Sequence, residues 1–95
     1  MATRISTVAL FELGDIRFTP GVVKKFTQEE TLISLGRHVV GDWGIVCQQD
    51  WKENDFSVKN GFRILSSYTG SGSATYWIIT EADRSATTVL LPEEY

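Results

Sequence analysis

Trp77 to Leu91, WIITEADRSATTVLL, decides the fold. Trp77, Ile78, Ile79 and Thr80 are aromatic or β-branched, and so are Thr87, Thr88 and Val89. Such side chains fit a pleated, half-buried surface. Between the two runs lies Glu81-Ala82-Asp83-Arg84-Ser85, with charges and turn formers but no apolar anchor. The pattern predicts an antiparallel hairpin with a charged tip.

Upstream of this hairpin, Phe62 to Tyr68 reads as a further strand, with Phe62, Ile64 and Leu65 apolar. Gly70-Ser71-Gly72-Ser73 is the flexible run before Ala74 to Thr80 and reads as a hairpin loop, not a domain boundary. Ala86 to Leu91 is the last strand; Pro92 stops it, and the acidic tail Glu93-Glu94-Tyr95 leaves it.

The first half reads mainly as helix. Val8 to Thr19 alternates loosely and predicts a strand broken or bulged at Gly14. Thr19-Pro20 is a helix start, since threonine caps free N–H groups and proline has none to leave unpaired. Val22, Val23 and Phe26 give that short helix its apolar side. Thr27-Gln28-Glu29-Glu30 matches a capping box, and a second helix follows with Leu32, Leu35, Val39 and Val40 at helical steps. Gly41-Asp42-Trp43-Gly44 ends it. A third helix is expected over Gln48 to Lys59, with a thin stripe of Trp51, Val58 and Phe56, and a stop at Asn60-Gly61.

Segregated helices and strands imply an α+β fold. The expected architecture is an antiparallel sheet of about four strands, an N-terminal strand plus a three-stranded meander, covered on one face by two or three helices. Trp77, Ile79, Val89 and Leu91 would then bury against Leu35, Val39 and Val58. If the final strand is an edge, it could pair with its copy in a homodimer.

At 95 residues the chain reads as a single α+β domain over 1–95. A net charge of −3 argues against a general nucleic-acid binder, which carries a basic face. A lone Cys47 cannot close an internal disulfide and fits a reducing cytoplasm. No apolar run approaches the roughly 20 residues that cross a bilayer, and Met1 to Ser6 has no signal-type apolar run. A cytoplasmic protein without membrane contact is expected.

Arg37-His38-Val39 with Gly41-Asp42-Trp43-Gly44, Asn54-Asp55, Gly61 with Arg63 to Tyr68, and Trp77 to Tyr95 resemble a family of small plasmid-related proteins. Members are encoded on bacterial conjugative plasmids and integrative elements. The likeness runs over the chain from Arg37 to Tyr95 and is looser before it. It implies a mobile-element setting in a bacterial host and transfers no catalytic residue. Arg63-Ile64-Leu65, Trp77 and Thr87-Thr88 also look similar to the sheet of barnase-like ribonucleases. The general-acid histidine of that family has no counterpart in the Asp83-Arg84-Ser85 turn.

Each reactive group has a structural reading beside the chemical one. His38 is the only imidazole; it could serve as a base with Asp42 at i+4, or sit with Arg37 at a helix C-terminus where cations meet the dipole. One histidine and one carboxylate make too sparse a set for a metal, and no cofactor motif is present. Trp43 between glycines is either an exposed contact or a turn residue tucked under the sheet. Glu81, Asp83 and Arg84 make either a solvated tip or a polar site. Cys47 precedes the third helix, so it is either activated by that helix or buried and inert. The reading is a non-enzymatic protein-interaction module acting in a host defence or element-encoded complex. Trp43, Arg63, Glu81, Asp83 and Arg84 are the expected partner contacts. The rival is a nuclease-like or toxin-like enzyme in which Arg63, Glu81 and Arg84 converge in a cleft.

Overall fold

The computed structural model describes residues 8–95. The reading of Met1 to Ser6 lies outside them. Strand β1 (Asp15–Phe18) leads into helices α1 (Pro20–Lys25), α2 (Gln28–Val39) and α3 (Gln48–Asn60). Strands β2 (Ile64–Thr69), β3 (Thr75–Thr80) and β4 (Ala86–Leu90) follow, with 3-10 turns at Ser71–Ser73 and Pro92–Glu94. The fold is α+β, as the pattern implies.

The sheet order is β1-β4-β3-β2. β2, β3 and β4 form the expected antiparallel meander, but β1 lies parallel to β4, with Asp15 beside Ala86 and Phe18 beside Val89. The expectation of a wholly antiparallel sheet is corrected at this pair. Parallel neighbours need a long connection, and here everything between Phe18 and Ala86 supplies it. Glu94 ties the two strand ends together: its carboxylate accepts from Thr19 Oγ1 and from the N–H groups of Gly21 and Leu91.

β4 is therefore an inner strand, paired on both sides. Homodimer pairing through the final strand is excluded for that reason. The edges are β1 and β2. The outer side of β2 is already closed by two devices. Gly44 bridges to Ser67, and the Asn54 side chain pairs with Leu65 by accepting from its N–H and donating to its carbonyl.

β1 is shorter than the Val8 to Thr19 strand predicted. Gly14 takes φ +64° and presses against the main chain of Ser85, where a β-carbon would collide. The chain before it leaves the sheet; Leu10 N–H donates to Val39 O, and Phe11 packs against Trp43 and His38.

The two sheet faces differ from the arrangement expected. The helix-covered core holds Val22, Phe26, Leu35, Tyr68, Tyr76, Ile78, Val89 and Leu91. Each such side chain contributes roughly 1.5–3 kcal/mol on burial. Ile78 stands opposite Val89, so strand alternation turns Trp77 and Ile79 to the other face. Val39 and Val58 are only half-buried. Tyr76 and Thr80 point inward instead because the helices offer their hydroxyls partners, Ser34 for Tyr76 and His38 for Thr80.

The helix ends follow their sequence signals closely. Thr19 caps α1 with Pro20 at its first turn, and Thr27 and Glu30 form the capping box of α2. Glu30 also accepts from Ser71 N–H and Ser71 Oγ, both at 2.7 Å, which fastens the β2–β3 loop to the start of α2. The Thr27 N–H first, and then the Ser71 donors, hold its carboxyl down at about 2. The inward stripes are only partly as expected: Leu35 faces the core, but most of the other positions do not. α2 buries Thr31, Ser34, Leu35 and His38, while Leu32 is half exposed at 50%. α3 buries Asn54 and Ser57. Thr31, Ser34, His38 and Asn54 occupy these faces because the side chain of each finds a hydrogen-bond partner.

Candidate functional site

The Arg37 to Gly44 segment, the most distinctive of the motifs, is devoted to structure. Arg37 Nε pairs with Asp42 at 2.8 Å, and the guanidinium lies 4.8 Å above the Tyr68 ring. The pairing raises the Arg37 pKa and lowers that of Asp42. Asp42 is thus engaged by Arg37 rather than His38. Trp43 is fully buried, so the expectation of a surface contact is corrected. Its indole N–H donates to Asp55 Oδ1 at 2.9 Å, and its ring packs against His38 and Phe11. Gly44 takes φ +76° where a β-carbon would run into Ser67 O.

His38 has zero exposure. It is neither a helix-end cation at the surface nor a base facing substrate. Nδ1 meets Ser66 Oγ, and Nε2 meets Thr80 Oγ1 at 2.8 Å. Thr80 in turn meets Thr87 at 2.8 Å, and Thr87 donates to Leu13 O at 2.7 Å. Each hydroxyl has one proton. Thr87 spends its proton on the carbonyl, so Thr80 donates to Thr87, and Nε2–H donates to Thr80. Nδ1 then accepts from Ser66. The hydrogen-bonded chain places a proton on Nε2, and the lowered pKa keeps the imidazole neutral. Burial, with the nearby positive Arg84, pushes its pKa down to about 3. Ser66 beside an imidazole is a nucleophile–base pair in composition, but both residues are sealed at zero exposure. No buried side-chain polar atom among the described residues lacks a partner.

The hairpin tip is built around Arg84, which takes φ +61°. Its Nη1 donates to Phe62 O at 2.7 Å and to Glu81 O and Ala82 O, while Nη2 donates to Ser57 O at 2.9 Å. One guanidinium thus joins the tip to the end of α3 and the entry to β2. The Ser85 hydroxyl, and then the Ser85 N–H that donates to Asp83 Oδ1, lower the Asp83 pKa. Glu81 and Asp83 are exposed. Arg63 is exposed too, but it stacks over Tyr95 at 5.0 Å. Tyr95 in turn packs edge-on against Trp77. Arg63 and Arg84 therefore point at different partners and do not converge with Glu81 as the enzyme reading requires.

Two aromatic residues join this surface that the sequence analysis did not single out together. Phe56 and Phe62 stack at 5.9 Å and 10°, yet they remain 55% and 54% exposed. Gly61 closes α3 in the left-handed region, and Gly61 and Phe62 N–H both donate to Ser57 O. Such a helix end brings the residue after the glycine against the helix's last turns. The spacing Phe56 to Gly61-Phe62 was the available signal. Cys47 is exposed, not buried. No group of three or more metal-ligating side chains occurs among the described residues, and no helix among them is long and apolar enough to cross a membrane. No family model matches the chain, and neither a curated protein nor a solved structure matches it.

Proposed function

We propose that this chain is a non-enzymatic protein-interaction module of a bacterial mobile genetic element, acting on a host defence or element-encoded complex. The contact surface is the hairpin-tip side, formed by Phe56, Phe62, Glu81 and Asp83, with Arg63 at its margin and Arg84 as its internal brace. One observation carries the reading: the stacked Phe56 and Phe62 remain 55% and 54% exposed, and the Arg84 guanidinium of the hairpin tip donates to the Phe62 carbonyl beside them. Exposed aromatics held rigid beside charges are the usual anchors of protein interfaces, because they bury much area with little ordering cost. The mobile-element setting comes from the sequence resemblance. The sealed state of the imidazole supports a binding role over a chemical one.

The test is a photo-crosslinking residue at Phe62 in the full chain, expressed in a bacterial host carrying such an element, with the same residue at Ser73 as control. The expected result is one dominant conjugate from position 62, lost when Glu81 and Asp83 are both changed to lysine. Equal or absent labelling at the two positions contradicts the reading.

A further inference from the structure

The open edge of the sheet lies on the other side of the molecule from β2. All four residues of β1 are exposed. Asp15 N–H donates to Ser85 O and Thr19 N–H to Val89 O, so the odd-numbered residues face β4. By alternation the N–H and C=O groups of Ile16 and Phe18 point outward, and they have no backbone partner among the described residues. Natural edges of this kind are normally blunted by shortness, charged side chains, proline or a covering segment. β2 is covered in that way; β1, short and carrying Asp15 and Arg17, has no such cover among the described residues.

Its side chains alternate Asp15, Ile16, Arg17, Phe18. The two charges share the face away from the helices, where they form an exposed ion pair at 3.8 Å. Ile16 and Phe18 share the helix side, beside a groove of about 340 Å³ lined by Phe18, Val22, Val23 and Phe26. Ile16 is 46% exposed and Val23 65%.

We infer that β1 pairs antiparallel with β1 of a second copy, with the two-fold axis passing between the two Ile16 residues, to give a continuous eight-stranded sheet. The register follows from charge. Centred on Ile16, the two Ile16 residues exchange a pair of N–H···O bonds, Asp15 faces Arg17 of the copy, and Arg17 faces its Asp15. Centred on Arg17 or on Asp15, like charges stand directly opposite, which is unfavourable. Centred on Phe18, Ile16 meets Pro20, which has no N–H to donate. Only the first register opposes unlike charges and uses the outward backbone groups of both copies. The edge is short, so the dimer is of the weak, concentration-dependent class. This interface runs along the β1 edge, which meets the hairpin tip only at Ser85; it uses none of the residues of the proposed contact surface and stands independently of the function proposed for it.

The test is sedimentation of the full chain at low salt, up to about 1 mM. Wild type shows concentration-dependent dimer. Asp15→Arg and Arg17→Asp each weaken association roughly tenfold, and the double exchange, which restores opposite charges across the axis, returns it to near the wild-type value. Ile16→Pro abolishes it, while circular dichroism shows the fold intact, because the Ile16 N–H is not used by β4. A monomer at every concentration overturns the proposal, as does a dimer indifferent to the charge exchanges. A dimer lost with the single variants but not recovered by the double exchange overturns the register.

Discussion

Asn54 serves Leu65 as a strand partner would. Its side-chain amide donates to Leu65 O at 2.8 Å and accepts from Leu65 N–H at 3.3 Å. A helix thereby closes a sheet edge with one residue. Asn54→Ala leaves a donor and an acceptor on β2 without partners in a partly buried place. It should cost about 1–3 kcal/mol in urea unfolding. Asn54→Gln is one methylene too long and should not recover the loss. A cost below about 0.5 kcal/mol for the alanine variant would mean water replaces the amide freely.

Arg84 makes a parallel case at the hairpin tip. Its two terminal nitrogens reach carbonyls of Ser57, Phe62, Glu81 and Ala82. A lysine carries the same charge on a single nitrogen and cannot span them. Arg84→Lys is expected to destabilise by about 1–3 kcal/mol and to raise amide exchange at the end of α3. Unchanged exchange at Gly61 and Phe62 would show that the brace is not in use.

Gly44 joins the buried Trp43 to β2. A side chain there meets Ser67 O and must also adopt φ +76°. Gly44→Ala should cost more than about 3 kcal/mol, a large share of a small domain's stability. Trp43 fluorescence should shift to the red as the indole reaches water. A variant that melts within a few degrees of wild type would contradict the close approach.

Acid should unfold this protein through its imidazole. His38 has a folded-state pKa of about 3, below the ordinary value of 6.5. The unfolded chain therefore binds a proton in the window between them and the folded chain does not. Stability is full above pH 6.5 and falls as pH drops, by up to roughly 1.4 kcal/mol per unit, until the folded pKa is reached. Glu30 acts in the same direction at lower pH, since its carboxyl is held at about 2 against 4.5. Denaturant unfolding from pH 7.5 to 4.5 should show the slope begin near 6.5. His38→Gln should flatten that part of the curve; a slope that persists in the variant assigns it to other groups.

The local punctuation was legible in the sequence. Thr27 and Glu30 form the capping box read from their spacing, Thr19-Pro20 starts a helix, and Asn60-Gly61 ends one. The three C-terminal strands and their hairpins were legible for the same reason, since turn chemistry and β-branched runs are local properties. The parallel pairing of β1 with β4 joins residues about seventy positions apart, and no local pattern encodes it. The inward faces of α2 and α3 were hidden for another reason. An apolar count gives weight to Leu32 and Phe56, whereas the buried positions belong to Thr31, Ser34, His38, Asn54 and Ser57. A polar residue faces inward at little cost when a partner waits there, and the partners of Ser34, His38 and Asn54 lie on strands farther along the chain. Trp43 was misplaced at the surface because an indole between glycines fits a contact as well as a plug.

The central claim is that the only imidazole in the sequence is a sealed part of the core, held within a hydrogen-bonded chain of hydroxyls, and the proposed binding role leans on that seal. Nitrogen-15 NMR of the His38 ring tests this most directly, because no other histidine contributes signals. The account predicts a single neutral form protonated at Nε2, with shifts constant from pH 8 down to the onset of acid unfolding. A ring that titrates near pH 6.5 in the folded protein, or carries its proton on Nδ1, would contradict it.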